Sequence, residues 1–133
     1  MGTSLSEAWQ GEYAVRRVRA QDQTDQQLAP LGQVGLDALA LRSGEWALDV
    51  GCGAGATTLA LARAAGASGG ACGVDVSEAM LNRARERVAH AGLQNVQLVA
   101  ADAASCSFER RFDALYSRFG VMFFEDPAAA FTN

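Results

Sequence analysis

Apolar and polar positions fall into two textures along the chain. In the first 45 residues, Trp9, Tyr13 and Val15–Val18 are separated by helix-like steps among polar residues, the spacing of one buried helix face. Thr24, followed three positions later by Gln27, predicts a capping box. The helix it opens runs to about Leu41, with Pro30, Gly32 and Gly35 able to split it, and Arg42-Ser43-Gly44 closes the region. From Trp46 onward, short apolar runs alternate with amphipathic stretches. Trp46–Val50 (WALDV) predicts a strand, Gly51–Gly55 (GCGAG) a tight loop, and Ala56–Ala65 a small helix stopped by Gly66. Ala71–Val76 reads as a second buried strand. Ser77 is the expected N-cap of the next helix, with Glu78 in its first turn. Met80, Leu81, Ala84 and Val88 mark its inner face, and Gly92 its end. Val96–Ala100 and Phe112–Ser117 predict strands three and four, and Asp126-Pro127 opens a further helix.

Strand–helix alternation predicts an α/β fold: a doubly wound, Rossmann-like parallel sheet with right-handed crossovers and strand order 3-2-1-4. Residues 1–45 are expected as an N-terminal helical cap, and 46–133 as an α/β unit. In that order the fourth strand is an open edge, apolar on both sides, which proteins normally protect. The pattern therefore predicts the N-terminal portion of a longer domain, whose isolated form self-associates or binds ligand poorly.

Composition narrows the function classes. Of 133 residues, half are apolar, and 11 basic residues, all arginine, face 15 acidic ones for a net charge of −4. Phosphate binding needs clustered cations, so no nucleic-acid partner is expected. No apolar run reaches the roughly 18 residues of a membrane span, and MGTSLSEAWQ lacks a signal pattern; a soluble, cytoplasmic protein is expected. Three scattered cysteines and one histidine argue against a metal site. His90 falls where a helix pattern ends, a place that favours cations.

The chemistry concentrates at the glycine loop. GCGAGA follows a strand and precedes a helix, so backbone N–H groups and a positive helix end face whatever the loop holds. Gly51, Gly53 and Ala56 also satisfy the dinucleotide pattern G-x-G-x-x-G/A. The surrounding acids discriminate. Asp49 lies two residues before Gly51, and a carboxylate there repels a pyrophosphate: at an effective dielectric of about 20, like charges about 4 Å apart repel by roughly 4 kcal/mol. A phosphate-free ligand carrying a sulfonium and an ammonium is attracted instead. Asp75, 22 positions after Gly53, ends strand two where an acid accepts from ribose hydroxyls. Asp102 ends strand three, placed to accept from an adenine amino group. Singly, Asp75 and Asp102 have loop-capping roles as an alternative; together with the loop, the three acids form a constellation.

Leu48–Thr58 (LDVGCGAGATT), Gly73–Leu81 (GVDVSEAML), Val96–Ser105 (VQLVAADAAS) and Phe112–Pro127 (FDALYSRFGVMFFEDP) resemble, as a set, the signature segments of class I S-adenosylmethionine-dependent methyltransferases. The likeness runs from about Trp9 to the C-terminus, and the segment with Trp9 and Tyr13 is similar to helices that lie over the cofactor. The resemblance implies a cofactor, S-adenosyl-L-methionine, bound by Asp49, Gly51, Cys52, Gly53 and Gly55 at its methionine part. It implies Asp75 on the ribose, Val76 and Met80 beside the base, Asp102 and Ala103 at the adenine edge, and Ser117 near the methionine end. Arg118 and Phe119 would lie near the acceptor. The family's seven-stranded sheet exceeds the four strands supplied here, so recognition of the small-molecule acceptor does not carry over.

Methyl transfer chiefly requires alignment and exclusion of water, and no residue stands out as a general base. Tyr116 is expected to pack in the core. Phe119, Val121, Met122, Phe123 and Phe124 are either an acceptor wall suited to a flat apolar molecule or, by the usual fate of such residues, core packing. Arg16, Arg17 and Arg19 read as a solvated helix face or a grip on an anion. The competing functions are a nicotinamide-dependent oxidoreductase, which Asp49 disfavours, and a non-catalytic nucleoside-binding fragment.

Overall fold

Strands form at Trp46–Val50 (β1), Gly70–Asp75 (β2), Val96–Ala100 (β3) and Ala114–Tyr116 (β4). All pair in parallel, in the order β3-β2-β1-β4, which is the expected doubly wound arrangement. The computed structural model describes residues 5–133; the first four positions of the expected helical segment lie outside the described residues. The helices are α1 (Leu5–Ala8), α2 (Gly11–Arg19), α3 (Gln21–Leu39), α4 (Ala56–Ala65), α5 (Glu78–Ala91) and α6 (Pro127–Thr132), with a 3-10 turn at Val121–Phe123.

The central strands β1 and β2 are buried on both faces, their side chains alternating between two packed layers. On one face Ala47 and Ala71 pack with Leu61 and Ala62 of α4, Tyr116, and Leu36 and Leu39 of α3. On the other, Leu48, Val50, Cys72 and Val74 meet Val99, Phe108, Phe112, Val121 and Phe124. Asp49 shares its side of β1 with Ala47, so it points toward α4 and not toward the opposite layer. This parity sets the carboxylate beneath the glycine loop.

Several local expectations match. α4 occupies Ala56–Ala65 with Gly66 as its C-cap. Ser77 caps α5, accepting from the Met80 N–H at 3.5 Å, and Met80, Leu81 and Ala84 are buried on its inner face, whereas Val88 is half-buried. Asp126 caps α6 through the Ala129 N–H at 3.0 Å, with Pro127 in the first turn.

Others are corrected. Thr24 caps nothing: α3 has already begun at Gln21, and the Thr24 hydroxyl donates back to the Ala20 carbonyl at 3.1 Å, the bond such residues make inside helices. Pro30, Gly32 and Gly35 do not split α3. Tertiary packing holds it, since the Gly32 carbonyl accepts from the Tyr116 hydroxyl at 3.1 Å, and a Cβ on Gly35 would stand 3.0 Å from the same ring. The helix stops at Leu39, before Leu41, because Ala40 turns left-handed (φ 48°) and lets Leu41 reach the core. Strand β4 is three residues long where six were expected. Asp113 instead closes the strand start, its carboxylate accepting from the Trp46 N–H at 2.8 Å. Leu115 on this open edge is 48% exposed. No helix among the described residues is long and apolar enough to cross a membrane.

Candidate functional site

A cleft of about 640 Å³ lies over the carboxyl ends of β1, β2 and β3 and is roofed by α2 and α3. Its size falls within the roughly 300–1,000 Å³ of small-molecule sites. Gly51, Cys52, Gly53, Asp75, Val76, Met80, Asp102 and Ala103 all line it.

The glycine loop is held from both sides. Gly51 has φ 69°, and a Cβ there would stand 2.7 Å from the Gly120 Cα, so only glycine fits both the turn and its neighbour. The Gly53 N–H donates to Asp75 Oδ2 at 2.8 Å, and the Ser77 N–H donates to Asp75 Oδ1 at 2.8 Å. Asp75 thus clamps the loop while its outer lone pairs still border the cleft. Asp102, at the far end, accepts from the Ala104 N–H at 2.9 Å; the capping role and the cleft position coexist. Burial pushes the Cys52 thiol well above its ordinary value, which leaves it an inert lining group.

Three of the expected residues stand behind the wall. Asp49 lies beneath the loop, 1% exposed, where its Oδ2 accepts from the Thr57 and Thr58 hydroxyls at 2.7 Å each. Its Oδ1 has no partner among the described residues. Burial raises its pKa from 3.8 to about 6 against the two hydroxyl bonds and the nearby Arg118 charge, which lower it. Gly55 faces α5, where a Cβ would meet that of Ala84 at 3.0 Å. Ser117 braces the loop after β4: its hydroxyl donates to the Val50 carbonyl at 2.8 Å and accepts from the Gly120 and Val121 N–H groups at 3.0 and 3.2 Å.

Reading the sequence missed a polar junction that ties the roof to the floor. Asp25 of α3 accepts from Gln21 Nε2 at 2.6 Å, from Arg87 of α5 at 2.7 Å, and from Arg118 at 3.5 Å. Arg87 also reaches Asp22 at 2.8 Å and the Ala54 carbonyl at 3.3 Å. Asp25, Arg87 and Arg118 are each less than a fifth exposed. Removing the acid leaves two poorly hydrated cations facing one another. For the Asp25→Asn variant we expect a loss of about 1–2 kcal/mol, discounted for partial exposure, read as a lower urea midpoint; an unchanged midpoint would make the junction energetically idle.

The aromatic stretch after β4 divides. Val121 and Phe124 pack on the sheet, and Met122 is exposed. Phe119 and Phe123 line the cleft, Phe119 in a left-handed backbone conformation (φ 63°) that is strained for a bulky residue. Trp9 meets Phe123 and Tyr13 edge-to-face at 5.5 and 5.3 Å. The arginine stretch divides as well: Arg16 pairs with Glu12 in solvent and Arg19 is exposed, while Arg17 turns inward over the Trp9 ring, 5.8 Å from its centroid. Tyr116 is buried in the core, as expected. Among the described residues no group of three or more His, Cys, Asp or Glu is placed to hold a metal.

A family model described as a methyltransferase domain matches residues 47–133. Aklanonic acid methyltransferase DauC of Streptomyces sp. (strain C5) is 33% identical over 102 residues, covering 76% of this chain and 46% of that protein. Demethylmenaquinone methyltransferase of Staphylococcus aureus (strain MRSA252) is 42% identical over 84 residues, 62% of this chain and 34% of that protein. Among solved structures, a SAM-dependent methyltransferase from Aquifex aeolicus aligns with a TM-score of 0.69 at 27% identity, over 76% of this chain and 54% of that one. The chain spans about half the length, or less, of the relatives it matches.

Proposed function

The chain belongs to the methyltransferase-domain family, in its class I S-adenosylmethionine-dependent form, and from that membership we propose that it binds S-adenosyl-L-methionine and passes the methyl group to a flat, largely apolar small molecule. The observation that carries this reading is the company the glycine loop keeps. Asp49 lies under it and Asp75 grips it, an acidic setting that favours a phosphate-free cation over a pyrophosphate. Asp49 stands behind the cleft wall, so its charge would act on a ligand ammonium across the glycine loop rather than by direct contact.

The cofactor, when bound, supplies a methyl carbon activated by its sulfonium. The residues of this chain contribute position and shelter. Asp75 would accept from the ribose hydroxyls, Asp102 and Ala103 would border the adenine edge, and Val76 and Met80 would cover the base. Trp9, Phe119 and Phe123 would lie against a flat acceptor and keep water from the line of attack, the alignment on which such displacements depend.

Titration calorimetry with S-adenosylhomocysteine and with NAD separates this function from nicotinamide chemistry on the same loop. We expect saturable binding of S-adenosylhomocysteine and none of NAD at the same concentrations. Preference for NAD, or binding of neither, sinks the reading.

A further inference from the structure

Three buried side-chain polar atoms lack partners among the described residues: Arg17 Nε, Gln21 Oε1 and Asp49 Oδ1. Arg17 and Gln21 line the same cleft, whereas Asp49 lies behind its wall, beneath the glycine loop. Gln21 is 5% exposed, and its amide cannot turn over. Asp25, a carboxylate, takes the Nε2 end at 2.6 Å and accepts only, so the carbonyl oxygen is necessarily the free end. No acid pairs with Arg17 among the described residues; its guanidinium lies over the Trp9 ring. Buried polar groups are nearly always satisfied, and each orphan costs about as much as a lost hydrogen bond. A cleft wall that offers one charged donor, Arg17, and one unpaired acceptor, Gln21, is complementary to a zwitterion.

The location fits that chemistry. Gln21 is bonded to Asp25, Asp25 to Arg87, and Arg87 to the Ala54 carbonyl within the glycine loop. Arg118 joins the same carboxylate and acts on Asp49 through its charge. This chain of bonds ties Gln21 to the glycine loop, and Arg17 lines the same cleft from the neighbouring helix.

Resting on the cofactor assignment made under the proposed function, we propose that Arg17 and Gln21, from the two roof helices, hold the amino-acid end of the cofactor. Arg17 pairs with its carboxylate, and the Gln21 carbonyl accepts from its ammonium. Neither residue lies in the glycine loop or beside the strand-end acids. The assignment gives the roof a recognition role: a nucleoside without the amino-acid end would leave it unengaged.

Three probes test this on the full chain by calorimetry: S-adenosylhomocysteine, its decarboxylated form, and 5′-methylthioadenosine, which lacks the whole amino-acid end. Arg17→Gln should weaken S-adenosylhomocysteine by about tenfold to a hundredfold, the range of a charged hydrogen bond, and leave the other two unchanged. Gln21→Met should weaken S-adenosylhomocysteine and the decarboxylated probe alike and spare 5′-methylthioadenosine. Unaltered binding of 5′-methylthioadenosine also reports that each variant is folded. Equal losses for all three probes, or no loss for any, overturn the assignment. If the unaltered chain binds none of the probes, the cofactor reading itself fails, an outcome distinct from a wild type that binds and variants that do not discriminate.

Discussion

Asp49→Asn should make the chain harder to unfold at neutral pH and cost it about a hundredfold in affinity for S-adenosylhomocysteine. The first half follows from burial. Asp49 is 1% exposed, and the low-dielectric setting lifts its pKa from 3.8 to about 6, a difference worth about 3 kcal/mol. A raised carboxyl pKa means that the native state holds the proton more tightly than the unfolded chain. Native stability therefore falls as pH rises from about 4 to about 6, and is flat above that. Asparagine removes this slope. Its amide oxygen still accepts from Thr57 and Thr58, but its NH2 replaces an orphan acceptor with an orphan donor, which takes back about 1–2 kcal/mol. A net gain of about 1–2 kcal/mol at pH 7 remains, read from urea midpoints between pH 4 and pH 8.

The second half follows from charge. Acting across the loop, a carboxylate about 6 Å from an ammonium gains roughly 3 kcal/mol at an effective dielectric of about 20, and a neutral amide forfeits most of it. The same coupling makes wild-type affinity fall as pH drops below about 6, since binding must then expel the Asp49 proton. Calorimetry in two buffers of different ionisation enthalpy detects that proton. A variant with unchanged affinity and an unchanged pH slope would show that the acid is only a brace for α4.

How much of the fold and the cleft is legible in the sequence depends on whether the deciding interaction is local. The apolar runs at Trp46–Val50 and Val96–Ala100 give strands with the expected ends, because short runs of β-branched and apolar residues between turn signals suit a pleated, packed sheet. The Ser77 and Asp126 caps are legible because a cap and its N–H partner lie three residues apart. Thr24 obeys the same local rule, yet the contact of Tyr116 with Gly32, 84 positions away, sustains a helix that starts earlier. For the cleft, the strand-end position of Asp49 is visible in the sequence but its direction is not. The useful signal is the Thr57-Thr58 pair just after the loop, two hydroxyls suited to a buried carboxylate. The Asp25 junction spans 62 positions to Arg87 and 93 to Arg118. No periodicity encodes such a pairing. For the same reason the inward turn of Arg17, amid two solvent-facing arginines, emerges only once α2 is seated over the cleft.

Asp75→Ala is the complementary loss, because this carboxylate holds the loop and, under the proposed function, also takes the ribose. Without it, the Gly53 and Ser77 N–H groups lose their acceptor, at a cost of about 1–3 kcal/mol in stability for groups only partly sheltered. The glycine loop also loses the bond that fixes its middle residue against β2. The ribose hydroxyls lose two charge-assisted partners, so nucleoside affinity should fall by about a thousandfold, more than loop loosening alone would produce. Deoxygenated probes separate the two roles. The unaltered chain should bind the 2′-deoxy form of S-adenosylhomocysteine about tenfold or more worse than the parent compound. The alanine variant, having nothing left to accept that hydroxyl, should not tell the two apart. If the unaltered chain binds both equally, the outer lone pairs of Asp75 are turned away from the ribose, and the acid is a loop clamp alone. Asp75→Asn fares no better than the alanine variant: its amide keeps one oxygen for Gly53 or Ser77 but sets an NH2 donor against the other N–H. It should therefore resemble the alanine variant in binding while unfolding at a denaturant concentration no higher.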